Sequence, residues 1–184
     1  MAAQVFVTNG PDAEVLGQAM LAFVESINYE NFRDILDHHG LSHIDPEKWY
    51  PQQLWLDIFN DVAAGKNVSS NLVSVGMKVV DTMVTPPGFE QIPFLEMLRG
   101  FGKNSYEMNN RGKHIGYINT EILSNNHVIM HDATPYPDDF VYGAYFAMAR
   151  RFLPKGTAYT VKFDEATPRR GEGGRETLVH ISWG

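Results

Sequence analysis

Apolar positions follow a helical period through the first half of the chain. They recur every three or four residues in several stretches, which is the spacing of a helix with one buried face. This pattern predicts helices over residues 15–27, 31–39, 52–64, 68–83 and 92–101. Pro51 complicates the third of these. We expect either a short first helical turn that begins at Asp45 and Pro46, or a break before residue 52.

From residue 105 onward the apolar spacing shortens to two, the period of a strand with one buried face. Turn-forming residues separate the alternating runs. The runs predict strands over residues 115–123, 127–133, 158–163 and 177–183. A further strand is expected around Tyr106 and Met108, which alternate with polar neighbours, whereas residues 164–176 are rich in Gly and Arg and are expected to form a loop.

A single helix interrupts the strands, over residues 137–152. Pro137 suits its first turn, where the missing N–H needs no partner. Asp138 and Asp139 lie in its first turn, and Arg150 and Arg151 lie in its last turn. The helix dipole favours acids at the start of a helix and bases at its end. Small residues form a strip that is expected to let this helix lie close on a sheet: Gly143, Ala144 and Ala147.

The predicted order is a set of helices, then strand, strand, strand, helix, strand and strand. Helices followed by a run of strands are typical of an α+β fold with a mostly antiparallel sheet. We therefore predict a single domain over residues 1–184. In this domain a helical half (11–103) packs on a sheet half (104–184) that contains the central helix 137–152.

Composition excludes several classes of function. The formal net charge of −7 argues against a nucleic-acid partner, which needs clustered Lys and Arg. The absence of cysteine excludes disulfides, thiol catalysis and cysteine-based metal sites. No apolar run approaches the roughly 20 residues that cross a bilayer, and the N-terminal residues lack a signal-peptide pattern. A cytoplasmic protein with no membrane partner is expected.

One grouping suggests catalysis: His131 with Asp132 and Asp139. Neighbouring strand residues point to opposite faces, however, so His131 and Asp132 are not expected to share a pocket. Asp138 and Asp139 instead suit the first turn of the following helix, and His131 suits a partly exposed position on the strand. We therefore expect no catalytic site and a non-enzymatic protein.

The histidines are the candidate metal ligands. His38, His39 and His43 cluster near the end of the second predicted helix. Such a cluster offers ligands for a metal or a haem iron, although histidines at a helix end also act as partners of the helix dipole. If haem or another tetrapyrrole binds, this cluster together with His114 and His131 supplies the candidate ligands.

Residues 106–183 also carry a family pattern. The run GYINTEILSNNHVIMHDATPYPDDFVYGAYFAMARRF is followed by a strand, a Gly-rich loop and a final strand that ends in VHISW. This is similar to the bacterial 4-vinyl reductase domain, which belongs with the haem-nitric oxide binding (H-NOX) domains and the TRAPP transport-complex subunits in one structural group. The residues that carry the resemblance are Pro135, Tyr136, Pro137, Asp139, Phe140, Gly143, Arg151, Phe152, Gly173 and Gly174.

The chain departs from these families where they hold metals. Many 4-vinyl reductase domains have cysteines near the final loop, and residues 165–177 have none. H-NOX domains hold haem iron with a histidine on a helix ahead of the sheet, and residues 83–102 contain no histidine. They also use a Tyr-x-Ser-x-Arg motif on the haem propionates, which Tyr106, Met108 and Asn110 do not reproduce. Haem bound in the H-NOX manner is therefore not expected.

The resemblance and the aromatic helical half imply a sensory or regulatory domain that binds a small hydrophobic ligand between helices and sheet. Two alternatives stay open. One is a homodimerisation or scaffold module of the TRAPP kind, with a second copy or a signalling protein as partner. The other is a haem-based gas sensor with non-standard histidine ligation. The candidate ligand-binding residues are Trp55, Tyr106, Arg111, Tyr117, Tyr136 and Tyr142.

Overall fold

The structure is a computed structural model that describes residues 5–26, 29–64 and 68–184. The helical half contains the helices at the predicted positions, and it begins with a short strand. Residue 27, at the predicted end of the first helix, lies outside the described residues. The elements of this half are β1 (Glu14–Leu16), α1 (Gly17–Ser26), α2 (Tyr29–His38), β2 (Trp49–Pro51), α3 (Gln52–Ala63), α4 (Val68–Thr82), a 3-10 turn (Phe89–Gln91) and α5 (Phe94–Phe101).

The sheet half contains four of the five predicted strands, in the predicted order around one long helix. Within the described residues, no helix combines the length and apolar character that crossing a bilayer requires. The elements of this half are a π-helical turn (Gly102–Tyr106), α6 (Glu107–Asn109), β3 (Asn110–Arg111), β4 (Ile118–Ser124), β5 (His127–Asp132), α7 (Asp138–Phe152), β6 (Tyr159–Phe163), a 3-10 turn (Arg170–Glu172) and β7 (Thr177–Trp183).

The main sheet has the strand order β4-β5-β7-β6, and each neighbouring pair is antiparallel. Met130 on β5 stands opposite Val179 on β7, and Val161 on β6 stands opposite Ile181. All of these side chains are buried, so one face of the sheet belongs to the core. The helix α7 shares this core. The predicted α+β class with an antiparallel sheet is confirmed.

A second, smaller sheet has the order β2-β1-β3 and is also antiparallel. Val15 pairs with Tyr50 on one side and with Asn110 on the other. The prediction of a helix from Val15 is therefore wrong at its start, where Val15 and Leu16 form β1. Pairing on both sides satisfies the backbone groups of β1, so tertiary contacts override the local helical spacing.

Pro51 separates β2 from α3. It ends the strand and stands as the residue before the helix, where its missing N–H breaks no helical hydrogen bond. The break is thus the correct one of the two predicted alternatives. Pro46 lies in a turn, in which the Glu47 N–H donates to Asp45 Oδ1 at 3.0 Å.

The strand predicted around Tyr106 and Met108 is wrong, because both residues are helical. Tyr106 is 6% exposed and Met108 is 67% exposed. Residues two positions apart lie about 200° apart around a helix, so one buried and one exposed residue at this spacing fit a helix as well as a strand. The strand of this region, Asn110–Arg111, belongs to the smaller sheet.

The helices α4 and α7 cross where both lack side chains. A Cβ atom on Gly143 would lie 2.1 Å from the Val73 carbonyl oxygen, and one on Gly76 would lie 2.1 Å from the Phe140 carbonyl oxygen. Both distances are far inside van der Waals contact, so the approach requires glycine on each helix. The small-residue strip was predicted to face the sheet; this is wrong at Gly143, which faces α4.

Arginines of α7 hold the end of the same crossing. Arg151 donates to the backbone carbonyls of Val80 and Met83, the second at 3.0 Å, where the end of α4 leaves carbonyl groups without helical partners. Arg150 forms an ion pair with Asp81 at 2.5 Å. Hydrogen bonds and an ion pair therefore connect the last turn of α7 to the end of α4.

Gly143→Ala is expected to destabilise the fold, because the added methyl group must push α4 and α7 apart. Overpacking costs about 1–3 kcal/mol, and alanine gains ~1 kcal/mol over glycine in a helix, so we expect a net loss of up to about 2 kcal/mol. Gly100→Ala is the matched control, since a Cβ there meets the movable end of the Asn104 side chain. Urea unfolding measures both variants, and equal stabilities would contradict a crossing that requires glycine.

Candidate functional site

A cavity of about 170 Å³ lies where the helical half meets the sheet half. Most of its wall is apolar, and one end is polar. The apolar wall is formed chiefly by Ala19, Phe23, Trp55, Val79, Phe140 and Val141. The polar end is formed by Tyr106, Asn110, Asp132, Thr134, Tyr136 and Tyr145.

Aromatic rings position the apolar wall. Phe23 of α1 meets Trp55 of α3 edge to face, with ring centroids 4.7 Å apart, and lies 6.2 Å from the ring of Phe140 on α7. Pairs in this range add stabilisation beyond the burial of their area. These contacts hold three helices around the cavity.

Asp132 is the acidic group of the polar end. It is the last residue of β5 and is 3% exposed. Thr134 donates to Oδ1 from its backbone N–H at 2.9 Å and from its hydroxyl at 2.6 Å, and the Tyr145 hydroxyl donates to Oδ2 at 3.0 Å. Burial raises the pKa of the Asp132 carboxyl, although these bonds and the charge of Arg170 act in the opposite direction. The stability of the Asp132 carboxylate therefore depends on the hydrogen bonds that it receives from Thr134 and Tyr145.

Asn110 organises a second polar group. Its Oδ1 accepts hydrogen bonds from Gln52 Nε2 and from the Tyr136 hydroxyl, each at 3.1 Å, and its Nδ2 donates to the Tyr106 carbonyl at 3.0 Å. The Tyr106 hydroxyl donates to the Ile115 carbonyl. Burial raises the pKa of both Tyr106 and Tyr136, so each side chain is a neutral phenol at physiological pH.

Several residues singled out from the sequence line this cavity. Trp55, Tyr106 and Tyr136 come from α3, the π-helical turn and the loop before α7, which are far apart along the chain. Their presence on one wall depends on how the helical half packs on the sheet half. The cavity lies between helices and sheet, which is the predicted place for a ligand.

Other candidates lie elsewhere. Arg111 pairs with an acidic side chain of β1 at 2.6 Å. Tyr117 is 42% exposed, and its hydroxyl donates to Glu176 at 2.9 Å. Tyr142 lies on the side of α7 that faces β6, with its ring 5.2 Å from that of Phe163. Arg111, Tyr117 and Tyr142 are thus not among the cavity residues.

The histidines, all of which lie in the described residues, do not line the cavity either. His38, His43 and His114 are exposed, and His39 Nε2 lies 2.8 Å from Asp61 Oδ2. No group of His, Asp and Glu among the described residues converges as a metal site. The predicted histidine cluster therefore forms no ligand set in this part of the chain.

His131 lies on the outer face of the main sheet, while Asp132 faces the cavity. The imidazole lies between two carboxylates, 3.0 Å from Glu121 through Nε2 and 3.1 Å from Glu176 through Nδ1. The strand period thus separates His131 from Asp132. Burial lowers the pKa of His131, but the bonds to Glu176 and Glu121 raise it by more, so the net pKa lies above its ordinary value.

Asp132, Tyr145 and Asn110 line the cavity but were not predicted from the sequence as ligand-binding residues. One signal for Asp132 was present. Val128, Met130 and Asp132 share a face of β5, and the first two are fully buried. Acids are rarely buried on an apolar strand face unless they are paired or hydrogen-bonded, so this alternation marks an interior polar site.

No protein-family model matches this chain, and no curated protein matches its sequence. Among solved structures, an H-NOX protein from S. oneidensis in the Fe(II)NO state is similar with a TM-score of 0.70 and 14% identity, over 92% of this chain and 99% of that one. The fold is that of an H-NOX domain. A variant H-NOX from T. tengcongensis gives a TM-score of 0.66 and 16% identity, over 91% and 94%.

A third similar structure is described as an oxygen-binding H-NOX domain related to soluble guanylate cyclases, with a TM-score of 0.65, 15% identity, and 91% and 92% coverage. The H-NOX resemblance is thus confirmed for the fold and extends over the helical half. The resemblances to the 4-vinyl reductase domain and to the TRAPP subunits stay predictions.

The residues around the cavity do not fit a haem. No histidine lines it, and α5 contains none. Tyrosine also ligates haem iron in some proteins, but burial raises the pKa of Tyr106, Tyr136 and Tyr145 and so disfavours the phenolate. The cavity volume of about 170 Å³ is also smaller than the roughly 300 Å³ at which pockets for drug-sized ligands begin.

The paired carboxylates predict a pH dependence for His131. Because its folded pKa is raised above 6.5, its stabilising contribution is complete below that value and is lost as pH rises through the higher, folded pKa. The stability advantage of the natural chain over His131→Gln should therefore shrink from pH 5.5 to pH 8.5. His114→Gln, at an exposed histidine, is the control. A constant advantage across this range in chemical unfolding would show that the two carboxylates do not act on His131.

Proposed function

We propose that this chain is a non-enzymatic sensory or regulatory domain that binds one small, largely apolar molecule in the cavity between its two halves. The cavity itself carries the proposal: an apolar wall with a few hydrogen-bonded polar groups at one end is the usual composition of a small-molecule site. The absence of a histidine from its lining favours an organic ligand over a metal-held one.

The volume limits the size of the ligand. A cavity of about 150 Å³ holds benzene or xenon, whereas drug-sized ligands need roughly 300 Å³ or more. At about 170 Å³, this cavity suits a molecule with a single six-membered ring or a short branched chain. The expected ligand is thus far smaller than a tetrapyrrole.

The position of the cavity supports a sensory role. Val79 of α4 and Ala144 of α7 both line it, and these helices cross nearby at Gly76 and Gly143. A ligand that occupies the cavity contacts both helices within one helical turn of these glycines. Differential binding to two arrangements of this crossing would shift the population between them, which is the general basis of ligand-driven switching.

A haem-based gas sensor with non-standard histidine ligation is the second candidate. The likeness to H-NOX structures favours it, and the cavity lining opposes it. The homodimer or scaffold module and the signalling partner stay predictions.

Titration with hemin separates the two candidates. We expect no saturable absorption change at one haem per chain, because the cavity offers neither a histidine nor sufficient volume. A Soret band that saturates at this ratio, and that is lost in His39→Gln or His131→Gln, would instead establish the haem-based alternative. The control is His127→Gln, since His127 is not among the candidate haem ligands and does not line the cavity.

Filling the cavity should abolish binding of a small apolar probe. Ala19 is a half-buried residue of α1 on the cavity wall, and Ala19→Phe places a ring in the cavity. For the natural chain, toluene at 100 times its Kd should raise the unfolding free energy by about 2.7 kcal/mol. Ala19→Phe should lose this gain, and Ala64→Phe, at an exposed alanine, should keep it. Absence of toluene binding to the natural chain would overturn an apolar ligand site.

A further inference from the structure

Asp132 is a buried acid without a cationic partner. Among the described residues, no ion pair includes it, and its hydrogen-bond donors are the neutral groups of Thr134 and Tyr145. An unpaired buried charge is strongly unfavourable in an apolar surrounding. A carboxyl group that lines an apolar cavity in this way marks a place where a positive charge would be stabilised.

Arg170 acts on Asp132 only from a distance. Its charge lowers the pKa of Asp132, but no hydrogen bond joins the two side chains. Its Nη2 donates to Asn9 Oδ1 at 3.0 Å, and its Nη1 is buried without a partner in the described part of the chain. Arg170 is not a cavity residue, so the cavity side of Asp132 is free of protein cations.

The hydroxyl groups near Asp132 already donate their hydrogens. Tyr145 donates to Asp132 Oδ2, Tyr136 to an amide oxygen, and Tyr106 to a backbone carbonyl. The Tyr145 oxygen keeps lone pairs that can accept, whereas the oxygens of Tyr106 and Tyr136 already have the Gln52 amide beside them as a donor, which acts to lower their pKa values. Oδ1 of Asp132 receives two bonds from Thr134, and Oδ2 receives one, so Oδ2 also keeps an acceptor site. These groups offer acceptors to a ligand.

We infer that the cavity binds a small primary amine as its ammonium ion, with the nitrogen at Asp132 Oδ2 and the hydrocarbon body against the apolar wall. This inference rests on the proposed function. An ammonium group has three donors and no acceptor, which matches these acceptors. A ligand with a hydroxyl group in place of the ammonium would also bring lone pairs that accept hydrogen bonds. The three phenols could not donate to them, because their hydrogens are already used.

The apolar wall suits the body of such an amine. The cavity has room for about one six-membered ring, and the side-chain rings of Phe23, Trp55 and Phe140 surround that space. Aromatic faces also attract cations within about 6 Å, so the wall tolerates the charge of the ligand as well as its hydrocarbon part.

The test compares ligands that differ in a single group. Benzylamine, benzyl alcohol and ethylbenzene have the same shape and end in an ammonium, a hydroxyl and a methyl group. Calorimetric titration of the full chain at neutral pH should show benzylamine binding about tenfold more tightly than ethylbenzene, as expected for a charge-assisted hydrogen bond. Benzyl alcohol should lie between them.

Asp132→Asn tests the assigned atom. The amide keeps an oxygen for Thr134 and loses the negative charge at the Oδ2 position. Benzylamine should lose about tenfold in affinity, and ethylbenzene should be unaffected. Asp164→Asn is the matched control, because Asp164 Oδ1 likewise accepts backbone N–H bonds, from Ala166 and Thr167, in a turn outside the cavity. Asp164→Asn should bind benzylamine with the same affinity as the natural chain.

Each other outcome overturns a defined statement. If all three ligands bind equally, or if benzyl alcohol or ethylbenzene binds most tightly, the ammonium inference is wrong while the small-molecule site stands. If none of the three binds, the proposed function fails together with the inference. If Asp132→Asn does not fold, the three-ligand comparison on the natural chain still decides. Retention of full benzylamine affinity by a folded Asp132→Asn would exclude Asp132 as the partner.

Discussion

The close crossing of α4 and α7 is the contact on which the rest of the structure depends. It joins the helical half to the helix that covers the main sheet, and a Cβ atom on Gly76 or Gly143 would lie 2.1 Å from a carbonyl oxygen of the other helix. Packed interiors resist compression, so a contact this tight sets how closely α4 and α7 approach each other. The cavity lies beside the crossing, with Val79 and Ala144 on its wall. Any ligand there would act directly on the junction of the fold.

The interior chemistry of this chain differs from what its fold suggests. The backbone follows an H-NOX structure over 92% of the chain at 14% identity. Inside, however, the cavity presents phenols and the carboxyl of Asp132, and its volume suits a single ring. A fold constrains where a cavity forms, whereas side chains decide what it binds. The fold is shared with H-NOX domains. Among the cavity residues, however, there is no histidine that could hold a haem iron.

Part of the candidate site was predictable from residue type. Of the residues selected from the sequence, Trp55, Tyr106 and Tyr136 line the cavity. The same criterion also selected Tyr142 and Arg111, which face β6 and β1 instead. Residue type does not report the direction of a side chain, because that direction depends on helix rotation and strand register. Asp132 could have been found only by combining its type with the buried alternation of β5.

The sequence alone determined the class of fold. The change from helical to alternating spacing near residue 105 separated the two halves, and Pro137 marked a helix start through the N–H that proline lacks. At Pro51 the sequence left two alternatives, and the structure decided for the break before α3. Tertiary structure alone decided that Val15 pairs in a sheet, that Gly143 meets α4, and that a cavity remains between the halves. Local spacing reports which side of an element is buried. What covers that side, and where space is left, depends on how rigid elements meet in three dimensions.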